Sequence, residues 1–245
     1  MKLYVAATGS TANTYILSSD DGASLILDAG VSLKKVLPHV PDVRRIMGCV
    51  VTHEHADHAK AWQEYAYRGI PVYTSAGTCE ALTQGRPKDG LHFARMKPMQ
   101  TAKRGPFTIM AFEVQHDAAE PFGYLIRYNP TGETVVYATD TYYLKYTFPG
   151  VNYWIIECNH CEDLIDAETD AALRRRLKES HMSLRRLKDA LAANDLRETG
   201  KIVLVHLSDQ RSDERRMVRE IEEQTGIETV AANACMTIDL KVVPF

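Results

Sequence analysis

The sequence lacks any apolar stretch of about 18 residues, the length that a membrane-spanning helix needs. It therefore predicts no membrane partner, and the opening segment MKLYVAATGS is typical of a strand rather than of a signal peptide. A strong charge of either sign is also missing, since the net charge is −3 over 245 residues. Because no global basic field points to nucleic acid, only local patches can favour such a partner.

Cysteine is scarce as well. The five cysteines are an odd number and widely spread, so they predict no disulfide framework. They favour a reducing, cytoplasmic location with buried thiols. The hydrophobic fraction of 45% and the charged fraction of 25% are typical of a globular protein, and the length suits one α/β domain over residues 1–245.

The apolar pattern predicts two blocks, each of strands followed by helices. The predicted strands are Lys2–Ala7, Thr14–Ser18, Ser24–Asp28, Ile46–Thr52, Val72–Thr74, Phe107–Gln115, Gly123–Tyr128, Glu133–Ala138, Trp154–Glu157, Lys201–Leu207 and Met236–Val243. The predicted helices are Ser32–Leu37, Asp57–Arg68, Asp166–Asn194 with a break near Ser180–Ser183, and Ser212–Gln224. Two sheets packed together with helices outside satisfy this order.

A run of metal-binding residue types, His53-Glu54-His55-Ala56-Asp57-His58, stands where a buried strand meets a predicted helix. His53 and His55 are two residues apart, so on an extended chain their side chains point the same way. The start of the helix then turns Asp57 and His58 toward a neighbouring point. One ion does not easily use all four groups, whereas two ions about 3.5–4 Å apart do.

Three more polar residues follow apolar strands further along the chain, namely His116, Asp140 and His206. A lone histidine in that setting is more often a capped or core side chain. Seven candidate ligands at strand ends nevertheless favour a site for two divalent ions, Zn²⁺ or Mn²⁺, with iron as a further option. Because the set contains no thiolate, a structural zinc site is disfavoured.

The HEHADH run with the later His, Asp and His resembles the metallo-β-lactamase superfamily, and so do GSTANTYIL (9–17) and LILDAG (25–30). The resemblance implies an αββα sandwich of two mixed sheets with helices outside. The ligand sets that it implies are His53, His55 and His116 for the first metal, and Asp57, His58 and His206 for the second, with Asp140 bridging both. Asp28 would orient a ligand from behind, or merely close a strand.

Four flanking segments resemble the WalJ/YycJ-like single-domain exonuclease branch of the superfamily: QHDAAEPFGYLI (115–126), ATDT (138–141), ECNH (157–160) and VHLSDQ (205–210). This resemblance implies a phosphodiester hydrolase that acts as a DNA exonuclease and uses a hydroxide held between the two metal ions. Asp57 would bind metal and also orient this nucleophile. Residues around the later ligands differ from those of lactamases, which disfavours antibiotic hydrolysis.

His181, in KESHMSLRRLKDAL, precedes a predicted helix that Ser183 would cap, and helix N-termini favour phosphate. We expect His181 to bind the phosphate or to protonate the leaving group. The alternative is an ordinary surface histidine between two helices. We expect Asn159 and His160, from the resemblance, and Ser208, from its position two residues after His206, to contact the substrate.

Basic residues crowd around His181 and follow His206. They would guide a nucleic-acid backbone, or they form solvated helix faces that acidic neighbours offset. The residues are Arg174, Arg175, Arg176, Lys178, Arg185, Arg186, Lys188, Arg211, Arg215 and Arg216.

Two other functions stay open from the sequence. One is a small-molecule hydrolase on the same metals, such as a cyclic or small phosphodiesterase, a thioesterase or a lactonase. The other is a regulator without enzymatic activity that sequesters a nucleotide, although such a protein would be expected to have lost ligands. The oligomeric state also stays open.

Overall fold

The computed structural model describes residues 1–85, 93–165 and 179–241. Within these ranges fourteen strands form two sheets of seven. The strands are β1 (Lys2–Ala7), β2 (Thr14–Ser18), β3 (Ser24–Leu27), β4 (Ile46–Val50), β5 (Val72–Ser75), β6 (Phe93–Met96), β7 (Thr101–Arg104), β8 (Phe107–Glu113), β9 (Phe122–Tyr128), β10 (Thr134–Ala138), β11 (Tyr153–Glu157), β12 (Lys201–Val205), β13 (Thr229–Ala231) and β14 (Met236–Asp239).

Both sheets are mixed. The first has the order β14-β1-β2-β3-β4-β5-β6, antiparallel up to β3 and parallel from β3 to β6. The second has the order β13-β12-β11-β10-β9-β8-β7, parallel from β10 to β13 and antiparallel elsewhere. Because parallel strands end at the same edge of a sheet, each sheet gathers several strand ends at one edge.

One apolar core lies between the two sheets, where alternate side chains such as Val5, Leu25, Ile109 and Val203 are fully buried. Two further cores lie on the outer faces, under the helices. The helices are α1 (Leu33–Val36), α2 (Ala56–Ala59), α3 (Trp62–Tyr67), α4 (Ala76–Thr83), α5 (Leu184–Ala192) and α6 (Glu214–Thr225). The predicted αββα sandwich is confirmed.

The helix predicted over Asp57–Arg68 is wrong as a single element. It is divided into α2 and α3, because the backbone N–H of Ala61 donates to Ala29 O at 2.8 Å instead of continuing the helical pattern. Four short elements were also missed, namely β6, β7, α4 and β13. In β7 three of four side chains are exposed, so the strand shows no apolar alternation that the sequence could reveal.

Ser183 caps α5 as predicted, since its hydroxyl accepts from the N–H of Arg186 at 3.3 Å. The predicted helical stretch before it lies mostly outside the described residues. Cys235 is exposed, contrary to the expectation of buried thiols, while the other four cysteines are free and buried. In the described parts of the chain, every helix is too short or too polar to cross a membrane.

Candidate metal centre

Four strands deliver polar side chains to one edge of the sandwich. β4 leads to His53, β8 to His116, β10 to Asp140 and β12 to His206. Asp140 and His206 have φ values of 49° and 56°, in the left-handed region that few non-glycine residues adopt. Such backbone strain is frequent at functional sites, and here it accompanies a sharp turn just beyond each strand.

A first cluster consists of His53, His55 and His116. His116 Nε2 lies 3.2 Å from His55 Nδ1. One ring nitrogen from each of the three histidines falls within 4.8 Å of the others. Three imidazoles that converge in this way form a site suited to a divalent transition-metal ion.

A second cluster consists of Asp57, His58, Asp140 and His206, again with ligand atoms within 4.8 Å of one another. Asp57 Oδ2 lies 3.2 Å from His58 Nε2 and 3.5 Å from His206 Nε2. His58, Asp140 and His206 are buried, and Asp57 is partly open to the cavity described below.

The two oxygens of Asp140 face different clusters. Oδ2 lies 3.5 Å from His116 Nε2 and 3.8 Å from His53 Nε2. Oδ1 lies 3.2 Å from His58 Nε2 and 3.6 Å from His206 Nε2. A carboxylate in this position is able to bind one ion with each oxygen.

The histidines are held in the orientation that a metal needs. His53 Nδ1 lies 3.0 Å from the Thr52 hydroxyl, and His116 Nδ1 donates to Ser180 O at 2.9 Å. With Nδ1 fixed against the protein, Nε2 is left as the inward-facing lone pair. His53 Nε2 and His206 Nε2 are buried and have no hydrogen-bond partner among the described residues. Buried nitrogens without a partner are costly, so a bound cation fits this donor set.

The charge states of two of these groups, His53 and Asp57, also fit a cation. Burial and the nearby His58 lower the pKa of His53 well below its usual value, which favours the neutral, ligating ring. Burial would raise the pKa of Asp57, but the adjacent His206 and His58 side chains outweigh it and hold the pKa below the usual range. The carboxylate of Asp57 is therefore ionised.

Asp28 lies behind His58. Its Oδ2 accepts from His58 Nδ1 at 2.7 Å and from the Tyr137 hydroxyl at 2.6 Å, while its Oδ1 accepts from the N–H of Thr52 at 2.8 Å. Asp28 and Tyr137 are fully buried. Asp28 is thus more than the residue that closes β3, because its carboxylate fixes the orientation of one candidate ligand.

Glu157 is the residue that the sequence analysis missed. Its Oε1 accepts from His181 Nδ1 at 2.7 Å and lies 3.2 Å from His206 Nδ1. Its Oε2 accepts from the N–H groups of Thr141, at 2.9 Å, and Met182, at 3.1 Å. Burial would raise the pKa of Glu157, but His181 lowers it, so the side chain is an anion. The available signal was an acidic residue at the end of the apolar run YWII.

Gly30 makes a close backbone approach possible beside the second cluster. A Cβ at this position would collide with the carbonyl oxygen of Asp57. The same oxygen accepts from the N–H of Asn13 at 2.7 Å, and Gly30 donates to Asn13 O at 3.1 Å. The segments GSTANTYIL and LILDAG therefore meet at the backbone of a candidate ligand.

His181 lies beside the candidate metal ligands and is not an ordinary surface histidine. It is 9% exposed, and its ring stacks on that of His206 with centroids 5.4 Å apart. It lines a cavity of about 370 Å³ together with Ser10, His55, Asp57, Asp140, Asn159, His206, Leu207, Ser208, Asp209, Gln210 and Arg211. The predicted link between His181 and the metal site therefore has a geometric basis.

The three predicted substrate contacts differ in position. Ser208 lines the cavity. Asn159 also lines it, but its amide donates to His206 O at 3.0 Å and so holds a ligand loop. His160 does not line it: its backbone pairs with Ser183 and its side chain is buried, so the structure does not support the expected substrate contact.

Three of the six described basic residues near His181 and His206 have acidic partners. Arg185 pairs with Glu162 at 3.3 Å and Lys188 with Glu220 at 2.9 Å. Arg216 pairs with Asp163 and Glu220, and the Arg186 guanidinium lies over the Tyr142 ring.

Arg211 differs from these residues, since it lines the cavity. The predicted residues Arg174, Arg175, Arg176 and Lys178 lie outside the described ranges.

Comparisons with known proteins agree on one family. Residues 24–207 match the family described as Beta-lactamase superfamily domain. The chain is 30% identical over 240 residues to Exodeoxyribonuclease YycJ of Bacillus anthracis, covering 91% of this chain and 89% of that protein.

Solved structures show the same fold. The metallo-β-lactamase fold protein YhfI from Bacillus subtilis matches with a TM-score of 0.73 at 20% identity, covering 97% of this chain and 98% of that one. Zn²⁺-bound PqqB from Methylobacterium extorquens matches with a TM-score of 0.73 at 14% identity, covering 98% and 100%. At these identities the likeness concerns the fold alone.

Proposed function

Since the chain belongs to the β-lactamase superfamily and is a hydrolase of the metallo-β-lactamase fold, we propose that it is a dinuclear, metal-dependent phosphodiester hydrolase that acts as a DNA exonuclease. One observation carries the dinuclear part: the two oxygens of Asp140 face two separate clusters of ligand atoms. The DNA part is supported by the 30% identical relative, which is named an exodeoxyribonuclease.

In this proposal the two clusters each hold one divalent ion, Zn²⁺ or Mn²⁺, with iron as a further option. The proposed ligands are His53, His55 and His116 for the first ion, and Asp57, His58 and His206 for the second, with Asp140 between them. When bound, such ions lower the pKa of a coordinated water and neutralise charge on a phosphate.

The chain's own residues supply orientation and proton transfer. Asp57 is partly exposed to the cavity, where its carboxylate orients the attacking water. His181 reaches the same cavity, and its Nδ1 is held by Glu157 at 2.7 Å. Nε2 is then left to face the substrate, where it binds the phosphate or delivers a proton to the departing oxygen. Glu157 acts as a positioning residue for this step.

The direct test is a nuclease assay with end-labelled single- and double-stranded DNA in Mn²⁺, Zn²⁺ and Mg²⁺, with the His53→Ala variant as the control. The proposal expects mononucleotides to be released from one end by the wild-type protein and not by the variant. Intact DNA beside rapid hydrolysis of a thioester, a lactone or bis-p-nitrophenyl phosphate would favour a small-molecule hydrolase. Tight nucleotide binding without product would favour a regulator.

We also propose that residues 1–245 work as one domain and that the protein acts in the cytoplasm. Strand β14 pairs with β1, so residues near both ends of the chain share a sheet. Five free cysteines, one of them exposed, suit a reducing compartment. Limited proteolysis tests the first point, since one domain predicts no stable intermediate fragment.

A further inference from the structure

We infer that Arg211 and Ser208 form a subsite for a terminal phosphate of the DNA strand, separate from the phosphodiester that is cleaved. The inference rests on the proposed nuclease function and adds a feature of the substrate to it. It starts from the cavity, which the metal-binding residues Asp57, Asp140 and His206 share with the segment 207–211.

The segment that carries Arg211 is fixed to the backbone that follows β11. The N–H of Ser208 donates to Asn159 O at 2.8 Å, and the N–H of Cys161 donates to Arg211 O at 2.9 Å. The Ser212 hydroxyl closes the turn by donating to Ser208 O at 2.6 Å. Arg211 therefore extends from an anchored turn rather than from a loose loop, which is what a specific binding residue requires.

Arg211 is also distinguished by its charge. Among the described residues that line the cavity, it is the only lysine or arginine. Its one described side-chain partner is the neutral Gln210, at 3.4 Å, and no described carboxylate forms an ion pair with it. By contrast, Arg185, Lys188 and Arg216 are each neutralised by an acidic neighbour. The guanidinium of Arg211 is thus left available for an anion.

The anion that fits best is a phosphate. A guanidinium binds phosphate through two parallel hydrogen bonds, and a nearby serine hydroxyl supplies a third donor. The cavity of about 370 Å³ is at the small end of the range for ligand sites, which suits roughly one nucleotide. If the last nucleotide of a DNA strand fills the cavity, the bond to be cleaved would lie at the metal centre and the terminal phosphate would lie at Arg211.

The test compares four substrates: a DNA strand with a 5′-phosphate, the same strand with a 3′-phosphate, the strand without either, and bis-p-nitrophenyl phosphate. Wild type is expected to prefer one terminally phosphorylated strand, which identifies the end that is recognised. For that strand Arg211→Ala should lower kcat/KM by about 10- to 100-fold, the range expected when a charged hydrogen bond is lost. Metal content and hydrolysis of bis-p-nitrophenyl phosphate should not change.

Three further variants sharpen the test. Arg211→Lys should restore only part of the activity, because an ammonium lacks the forked geometry of a guanidinium. Ser208→Ala should show a smaller loss of the same kind. Arg127→Ala removes the same charge from an exposed position on β9 that does not line the cavity, and it should match wild type.

The possible outcomes distinguish a failure of the proposed subsite from a failure of the proposed nuclease function. If wild type degrades DNA and the loss caused by Arg211→Ala is the same with and without the terminal phosphate, the subsite is overturned and the nuclease function stands. An equal loss on bis-p-nitrophenyl phosphate would also overturn it, because Arg211 would then act at the cleaved bond. If wild type degrades none of the strands, both the function and the subsite are overturned.

Discussion

Two buried carboxylates support the candidate metal centre from opposite sheets, and they are connected in different ways. Asp28, which follows β3, holds one candidate ligand, His58, and is itself held by Thr52 and Tyr137. Glu157, at the end of β11, holds the candidate ligand His206 and also His181. Asp28 thus contacts a candidate ligand alone, whereas Glu157 joins a candidate ligand to a residue that lines the cavity.

Because of this difference, we expect the loss of each carboxylate to have a different consequence. Loss of the Asp28 carboxylate should loosen a ligand without touching the substrate side of the cavity. Loss of the Glu157 carboxylate should disturb a ligand, His181 and the backbone of Thr141 and Met182 together, since all four bond to it.

Asp140→Asn should have the largest effect, because Asp140 lies between the two clusters and serves both halves. We expect activity to fall on the order of 10⁴-fold, equivalent to about 5 kcal/mol of transition-state stabilisation. Metal analysis of the purified variant, read beside its kcat/KM, tests this. Retention of two ions with near-normal activity would contradict the position that we assign to Asp140.

Glu157→Gln should have the next largest effect, at about 10³-fold in kcat/KM. It combines a weaker hold on His206 with a misplaced His181, and each contribution alone is worth about 10- to 100-fold. Assays at rising metal concentration check this, since excess metal should restore only part of the activity. Full recovery would mean that Glu157 serves the metal alone, as Asp28 does.

His181→Ala should lower kcat by about 100-fold while the metal content stays intact. The reason is that His181 faces the cavity and stands outside the two clusters proposed to hold the ions, although it also lies close enough to Asp140, Glu157 and His206 to form a third group of possible ligands. Turnover and metal analysis of the same preparation decide the matter. Unchanged turnover would remove His181 from the chemistry, and loss of metal would make it a ligand.

Asp28→Asn should have the smallest effect on kcat. Its cost should appear in metal affinity, at about 10- to 100-fold, because an amide holds the His58 ring less firmly in its ligating form. At saturating metal kcat should return close to the wild-type value. A kcat that stays low in excess metal would show that Asp28 also reaches the substrate side, which would erase the contrast with Glu157.

The sequence revealed the ligand residues better than their supports. His53, His116, Asp140 and His206 each follow an apolar strand, so their convergence could be anticipated from local pattern. The two histidine partners of Glu157 lie 24 and 49 residues away in the chain, and no local spacing connects them to it. The edge strand β7 was missed for a related reason, because exposed strands carry no apolar alternation.

The substrate contacts predicted from the sequence also show that local pattern does not reveal every tertiary contact. Ser208 and Asn159 both reach the cavity, yet only the folded chain reveals that the amide of Asn159 is bonded to His206. His160 stands next to Asn159 in the sequence, but pairing of its backbone with Ser183 accompanies burial of its side chain away from the cavity. Adjacent residues on an extended segment face opposite ways, so one motif does not place all its members in one site.

The central claim is that the two clusters faced by the oxygens of Asp140 would each hold one ion. Calorimetric titration of the metal-free protein with Mn²⁺ or Zn²⁺, combined with phosphodiesterase activity at each point, tests it most directly. Our account predicts two ions per chain, with activity that reaches its maximum only when both are bound. Full activity at one ion per chain would contradict it.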